Sequence, residues 1–154
     1  MTSRMKTSSL DAVDWRILDV LQQDARVSYR QLARRVGLSA PAAAERVRRL
    51  EDAGLITGYR AEIALDKLFP LTAIIRISAP EENCRALGSC VKAMPEVVEA
   101  SRTTGPDRLI IKVVTRSVPH LDKVMEQLRR YGTPTTAVIL SSRRQFLAPG
   151  LERA

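Results

Sequence analysis

Arginines in the N-terminal third of the sequence have a spacing that indicates contact with nucleic acid. Arg46 and Arg49 are three residues apart, so they would share one face of a helix. A guanidinium on such a face can bind a phosphate or donate two hydrogen bonds to a guanine edge. The alternative interpretation is an ordinary helical hairpin with a solvated arginine-rich face, which is the commoner role of a charge run.

The residues around these arginines are typical of two short helices joined by a tight turn. Ser28 and Gln31 predict a capping box at the start of the first helix, and Gly37 predicts a left-handed residue at its end. Ser39 predicts the cap of the second helix, and Pro41 is tolerated in a first turn, where amides have no intrahelical partner. This arrangement predicts a helix-turn-helix.

Helical periodicity divides the second helix into an inner face that docks and an outer face that can contact DNA. Ala43, Val47 and Leu50 belong to the inner face, and small residues at the N-terminal end, Ala43 among them, would let the backbone approach a groove closely. The side chains of the preceding helix would reach the DNA backbone. The predicted DNA-contacting residues are Ser39, Ala40, Pro41, Ala42, Ala43, Glu45, Arg46 and Arg49 on the second helix, with Arg30, Arg34 and Arg35 on the first.

Composition supports a polyanionic partner and argues against several other classes of protein. The 154 residues carry a formal net charge of +8, although basic character alone also fits RNA or a membrane surface. No segment is long and apolar enough to span a bilayer, and the N-terminus has no apolar signal-peptide core, so a cytoplasmic location is expected.

The cysteines and the histidine indicate neither a metal site nor catalysis. Cys84 and Cys90 are six residues apart in a predicted helix, which is too far for a local disulfide, and they are interpreted as buried small hydrophobes. His120 has no partner at ligand or catalytic spacing and is interpreted as a surface residue at a helix start. No nucleophile motif or phosphate-binding glycine loop is present. We therefore expect no metal, no cofactor and no enzymatic activity.

The chain divides into two predicted domains. Residues 1–9 are polar and predicted to be disordered, and residues 10–60 are predicted to form the first domain. That domain would contain a helix from about Leu10 to Gln23, the helix-turn-helix, and two short strands around Thr57 and Gly58 that form a wing. Residues 61–70 would be a linker.

Residues 71–154 alternate between strand and helix patterns in the order strand, helix, strand, strand, helix, strand, with the last strand in TAVILSSRRQF. This order predicts a ferredoxin-like βαββαβ domain, an antiparallel sheet with both helices on one face. The fold class is therefore α+β. The second face of the sheet would be apolar and uncovered, which predicts a homodimer through this domain.

An ordered series of segments resembles the Lrp/AsnC, or feast/famine, transcription regulators: LDAVDWRIL from Leu10, then LARRVGLS and RVRRLEDAGLITGYRAEI. The resemblance implies a winged helix-turn-helix joined to a ferredoxin-like regulatory domain of the RAM type. It also implies double-stranded DNA as partner, dimers that often assemble into octamers, a small effector that is typically an amino acid, and a nucleoid-associated location.

The resemblance further implies an effector pocket near a T-G-x-x-D loop. Ungapped alignment places Arg108 where the family has its acid and moves Asp107 one residue early. A carboxylate there would receive the ammonium of an amino acid, whereas an arginine favours a carboxylate. The alternative is a turn in which the side chains of Asp107 and Arg108 are both solvated. Thr133, Thr135 and Thr136, which lead into the last strand, could equally be turn residues. The implied effector residues are Gly105, Asp107, Arg108, Thr133, Thr135 and Thr136.

Two other functions compete with this one. Some proteins with the same two-domain layout are tetrapyrrole (sirohaem) decarboxylases, which are expected to need a histidine-bearing basic pocket, and the single His120 argues against that activity. A ligand-sensing module whose helix-turn-helix has lost DNA binding is the second, and Arg46, Arg48 and Arg49 argue against it.

Overall fold

The computed structural model describes residues 10–141, and the chain divides between Glu62 and Ile63 into two compact units. The N-terminal unit contains helices α1 (Ala12–Gln23), α2 (Tyr29–Val36) and α3 (Ala40–Asp52). They enclose one apolar core, because each helix contributes a buried stripe. The buried members are Ile17, Leu32, Ala33, Val36, Ala43, Val47 and Leu50.

The predicted caps of the helix-turn-helix are confirmed. The Ser28 hydroxyl accepts a hydrogen bond from the amide of Gln31, whose side chain accepts one from the Ser28 amide. Gly37 ends α2 in the left-handed region with a φ of 77°, where a residue without Cβ is not strained. Ser39 caps α3 by accepting from the Ala42 amide. The sharp turn between α2 and α3 therefore follows from local chemistry.

The prediction of two wing strands is wrong for this structure. In the described part of the chain, no strand forms between α3 and the next helix, α4 (Leu65–Leu68), which lies inside the predicted linker. A two-stranded hairpin alone is marginal in water. The segment instead packs back on α3: the amides of Leu55 and Ile56 donate to the oxygen of Leu50, and the Tyr59 hydroxyl donates to Glu51 over 2.8 Å.

The C-terminal unit has the predicted strand and helix order. It comprises β1 (Leu71–Ser78), a 3-10 turn (Glu81–Asn83), α5 (Cys84–Ala93), β2 (Val97–Arg102), β3 (Asp107–Thr115), α6 (Val118–Arg129) and β4 (Thr133–Val138). The sheet is antiparallel with the order β2-β3-β1-β4. The prediction of a ferredoxin-like α+β domain is confirmed.

Strand alternation separates the two faces of this sheet. Ile75, Ile77 and Ile111 are fully buried in the core that includes residues of α5 and α6. Ile74 and Arg76 alternate with them and point to the face without helices, where the side chain of Ile74 is 39% exposed. We call this surface the open face.

Several expectations need correction or lie outside the described residues. Cys84 and Cys90 are free thiols that are half-buried rather than buried, because α5 turns only one side to the sheet. The expected disorder of residues 1–9, and the part of the predicted last strand after Ser141, fall outside the described range.

Candidate DNA-binding and effector sites

The surface of α3 differs from the predicted reading face at one alanine. Ala43 has no exposed surface, so the prediction that it faces bases is wrong. It lies one turn before Val47 on the stripe that packs in the core. Among the other predicted contacts, Ser39, Pro41 and Glu45 are exposed, and Ala40 and Ala42 are half-buried.

The two arginines of α3 are held by a buried carboxylate on α1. The side chain of Asp14 has no exposed surface, and its Oδ1 accepts hydrogen bonds from Arg46 Nη1 and Arg49 Nη2, each over 3.0 Å. Arg49 Nη2 also donates to Asp14 Oδ2 over 2.9 Å. A buried carboxylate needs such cationic donors, because the cost of removing it from water is otherwise uncompensated.

Asp11, the cap of α1, completes this ion network at its exposed end. Arg46 donates to the Asp11 carboxylate, and this contact holds the pKa of Asp11 below its usual value and raises the pKa of Arg46. The side chain of Arg46 is 29% exposed, whereas that of Arg49 is 50% exposed. The expectation of two free arginines on the outer face therefore needs correction, since both link α3 to α1.

Sequence reasoning missed Asp14. The pattern that could have revealed it is an acid three residues before the buried Ile17, on the apolar stripe of α1. An acid on that stripe needs a cationic partner, and the arginines of α3 are the side chains that supply it.

The remaining predicted DNA contacts are exposed arginines of α2. Arg30, Arg34 and Arg35 are exposed, and none of them makes an ion pair within residues 10–141. Arg48 of α3, which the prediction omitted, is exposed and pairs with Glu45 over 2.9 Å. In the described part of the chain, α2 thus presents three guanidinium groups that no carboxylate neutralises.

In the C-terminal unit, a register irregularity separates Asp107 from Arg108. The pairing of β1 with β3 shifts between Ile77 and Ser78, so that Asp107 lies opposite Ser78 and Leu109 opposite Ile77. Asp107 Oδ2 lies 3.9 Å from Arg76 Nε on the open face. Arg108 instead lines a cleft beside α5. The side chains of Asp107 and Arg108 therefore lie on different surfaces.

The predicted threonines are likewise divided. Thr135 lies opposite Arg76 and Thr133 opposite Ser78, so both belong to the open face near Asp107. Thr136 lies opposite the core residue Ile75, and its hydroxyl donates to the Ile74 oxygen over 3.5 Å. The structure brings together Asp107, Thr133 and Thr135, and it leaves Arg108 and Thr136 apart from them.

Two further features concern the effector loop. Gly105 has a φ of 91° in the turn between β2 and β3, a conformation that L side chains rarely adopt. Arg76 is the residue that sequence reasoning missed here, although a charge between Ile75 and Ile77 on an alternating strand would point away from their core.

His120 is not the unpartnered surface residue that the sequence indicated. It is half-buried, and its Nε2 lies 2.9 Å from Glu96 Oε1, while its Nδ1 accepts from the Arg116 amide. Within residues 10–141, no group of three or more His, Cys, Asp or Glu side chains is arranged to hold a metal ion. No helix of the same range is long and apolar enough to cross a membrane.

The chain is similar to known transcriptional regulators along most of its length. Residues 10–57 match the model for winged helix-turn-helix DNA-binding domains, and residues 72–145 match the model for the Lrp/AsnC ligand binding domain. The HTH-type transcriptional regulator YezC of Bacillus subtilis (strain 168) is 41% identical over 86% of this chain and 95% of its own. The leucine-responsive regulatory protein of Rhizobium meliloti (strain 1021) is 36% identical over 77% and 80%.

Solved structures agree with these sequence relationships. The structure of LrpC from Bacillus subtilis has a TM-score of 0.84 at 28% identity, covering 90% of this chain and 99% of that one. A transcriptional regulator from Neisseria meningitidis, solved as a complex with L-Met, has a TM-score of 0.81 at 25% identity and covers 89% and 94%. LrpC of Bacillus subtilis (strain 168) and the Rhizobium meliloti relative are both named as regulators. Domain order, helix-turn-helix geometry and these similarities together show that the chain belongs to the Lrp/AsnC family of DNA-binding transcriptional regulators with a ligand-binding domain.

Proposed function

We propose that α2 and α3 bind duplex DNA and that an amino acid bound at the C-terminal unit tunes this binding. The observation that carries the DNA part is the set of exposed, unpaired arginines on α2 next to an α3 that ion pairs hold against α1. Arg30, Arg34 and Arg35 contact phosphates, which positions the protein without reading sequence. The exposed N-terminal half of α3 reads bases in the major groove through Ser39, Ala40, Pro41, Ala42 and Glu45.

Arg46 and Arg49 retain a role at the DNA despite their partners. A guanidinium has five N–H donors, and the contacts with Asp14 occupy only Nη2 of Arg49. Half of the Arg49 side chain is exposed, so its other donors are accessible. Arg46 is more enclosed, and its larger contribution is to hold α3 in place.

The proposed effector site lies on the open face between Asp107 and Arg76. The carboxylate of Asp107 receives the ammonium of an amino acid, and the guanidinium of Arg76 receives its carboxylate. Their 3.9 Å separation is too long for a hydrogen bond, so both groups keep hydrogen-bonding capacity for a zwitterion that lies alongside the pair. Thr133, Thr135 and the backbone around Gly105 supply polar neighbours. Arg108 and Thr136 are not part of this proposal.

The relatives support an amino-acid effector. The Neisseria meningitidis regulator was solved with L-Met, and the Rhizobium meliloti relative is named as leucine-responsive. We further propose that the chain forms a homodimer through the open face, that dimers associate into larger particles such as octamers, and that the protein acts in the cytoplasm on nucleoid DNA. Effector binding near the dimer surface then changes assembly, and with it the number of DNA half-sites that one particle engages.

A salt titration with a panel of amino acids tests this function. Binding to the DNA upstream of the protein's own gene is compared with binding to random duplex of equal length. We expect tighter binding to the upstream DNA, with affinity falling steeply as salt rises. Equal weak binding to both duplexes, at every salt concentration, would contradict sequence-specific regulation.

Variants separate the two parts of the proposal. Arg34→Gln with Arg35→Gln should weaken binding to both duplexes and lower the salt dependence, because two phosphate contacts are lost. Asp107→Asn and Arg76→Gln should abolish the response to the active amino acid and leave effector-free DNA binding unchanged. A response that survives both single substitutions would remove the effector site from this face.

A further inference from the structure

A second cleft in the C-terminal unit has the chemistry of an anion-binding site. It has a volume of about 550 Å³ and lies between α5 and the end of the β2–β3 hairpin. Neither Asp107 nor Arg76 lines it. It is therefore separate from the amino-acid site proposed above, although Arg108, which lines it, is adjacent to Asp107 in the chain.

The charge of this cleft is almost entirely of one sign. Four cationic side chains line it, Arg85, Lys92, Arg102 and Arg108, against the single carboxylate of Glu81. Within residues 10–141, none of the four cations makes an ion pair. Like charges gathered in a concavity repel each other and concentrate anions there. An anionic ligand would remove that repulsion.

The positions of the four cations favour an elongated ligand. Arg85 and Lys92 are seven residues apart on α5, which is two helical turns or about 10 Å along one face. Arg102 and Arg108 face them from the hairpin, which the Thr103 amide closes by donating to the Arg108 oxygen over 3.3 Å. A ligand with several anionic groups along its length can contact all four of these side chains in extended conformations.

The helical wall between the cations leaves room for the ligand. Gly88 lies between Arg85 and Lys92 on α5, and a Cβ built there would meet no atom within 4 Å. The Ser89 hydroxyl is already bound to the Arg85 backbone oxygen, so the binding groups of the cleft are chiefly its cations. Guanidinium groups match the oxygens of phosphate in a bidentate manner.

We propose that this cleft binds a small linear polyphosphate group, such as the di- or triphosphate portion of a soluble metabolite. Arg85 and Arg102 bind the polyphosphate from opposite walls of the cleft, and Lys92 and Arg108 neutralise the charge at its two ends. The protein then has two ligand sites of different chemistry on one domain, one for a zwitterion and one for a polyanion.

Calorimetric titration of the full-length protein with inorganic tripolyphosphate tests the proposal. The cleft variant Arg85→Gln with Arg102→Gln removes two charges, and Arg116→Gln with Arg130→Gln removes two exposed charges of the same unit outside the cleft as a matched control. We expect the cleft variant to lose at least about ten-fold in affinity, because two charge-assisted hydrogen bonds to the phosphate oxygens are lost. The control variant should bind tripolyphosphate as the wild-type protein does.

Several results would overturn the proposal. Equal losses in the two variants would indicate non-specific attraction, and a loss confined to the control variant would place the anion outside the cleft. Equal affinity for citrate would remove the preference for phosphate. Weaker binding of long duplex DNA by the cleft variant, without any tripolyphosphate binding by the wild-type protein, would make the cleft a DNA contact. If the cleft variant does not fold, the amide chemical shifts of Gly88 and Thr103 are measured in the wild-type protein during the tripolyphosphate titration. Both residues line the cleft, so unchanged shifts would contradict binding there.

Discussion

Asp14 of α1 is a carboxylate without exposed surface that accepts hydrogen bonds from two arginines of α3. Individually, Arg46 and Arg49 look like residues that read DNA, and the sequence supports that interpretation because they fall on the polar side of α3. Their hydrogen bonds to Asp14 give them a second role, because these contacts orient α3 relative to α1. A residue that positions others in this way affects folding stability before it affects recognition.

Replacing Asp14 should therefore destabilise the N-terminal unit. We expect Asp14→Ala to lower the free energy of unfolding by about 1–3 kcal/mol, since two charged donors lose their acceptor and a small void forms. Urea denaturation measures this change. Arg48→Ala is the matched control, because its pair with Glu45 is exposed and should be worth less than about 1 kcal/mol. Equal effects of the two substitutions would contradict the structural role of Asp14.

Tyr59 should give the N-terminal unit a characteristic alkaline pH dependence. Burial, with the hydrogen bond to Glu51 as a second cause, raises the pKa of Tyr59 to about 12 from its usual 10.0. The neutral form is therefore favoured by folding, and this contribution is complete below pH 10.0 and lost as the pH rises towards about 12.

The measurement is thermal unfolding across that alkaline range, alongside the absorbance of tyrosinate. The wild-type protein should lose more stability than Tyr59→Phe as the pH rises, because the phenylalanine cannot ionise. Parallel loss of stability in both proteins would contradict the assignment.

At the scale of elements, local chemistry determines the helix-turn-helix, whereas tertiary contacts determine the segment after it. Capping residues such as Ser28 and Ser39 act within three residues of themselves, so sequence reasoning located the helices well. The wing depends on a partner for each strand, and propensity alone does not supply one. The strand alternation around Arg76 was sufficient to predict which face its side chain occupies. The register shift beside Ser78 depends on the pairing of β1 with β3, so no local sequence pattern predicts it.

Two glycines in the C-terminal unit should respond in opposite directions to the same substitution. A Cβ built at Gly132, between α6 and β4, would overlap the backbone oxygen of Ser78. Gly132→Ala should therefore destabilise the unit by about 1–3 kcal/mol through overpacking. Gly88→Ala, with open space around its Cβ inside α5, should stabilise it by about 0.5–1 kcal/mol.

Thermal unfolding of the two glycine variants against the wild-type protein checks both signs. A stabilised Gly132→Ala would mean that the junction between α6 and β4 relaxes freely, contrary to the close approach of Ser78.

At the scale of the whole molecule, the open face of the C-terminal sheet is the surface through which we propose that two chains associate. Ile74 is 39% exposed there, and Val118, at the start of α6, is 66% exposed but belongs to a different surface. A large exposed isoleucine in the middle of a strand is more consistent with an interface than with a solvated sheet.

Placing a charge at Ile74 should prevent this association. We expect Ile74→Glu to be monomeric at concentrations where the wild-type protein is dimeric, since burial of a carboxylate in an interface costs several kcal/mol, which its cross-strand neighbour Lys112 offsets only in part. Val118→Glu adds the same charge elsewhere and should remain dimeric. Sedimentation velocity distinguishes the two states. An Ile74→Glu protein that sediments as the wild-type protein does would move the interface away from the open face.

The register shift between Ile77 and Ser78 gives Asp107 and Arg108 separate surroundings although they are adjacent in the chain. In evolutionary terms, substitutions at these two codons act on different surfaces, so each can change under its own selection without compensation by the other. Deletion of one residue at the irregularity is different, because the regular pairing that it restores would leave no residue in the place of Arg108. Descendants of this chain should therefore diverge here by substitution and keep the irregularity.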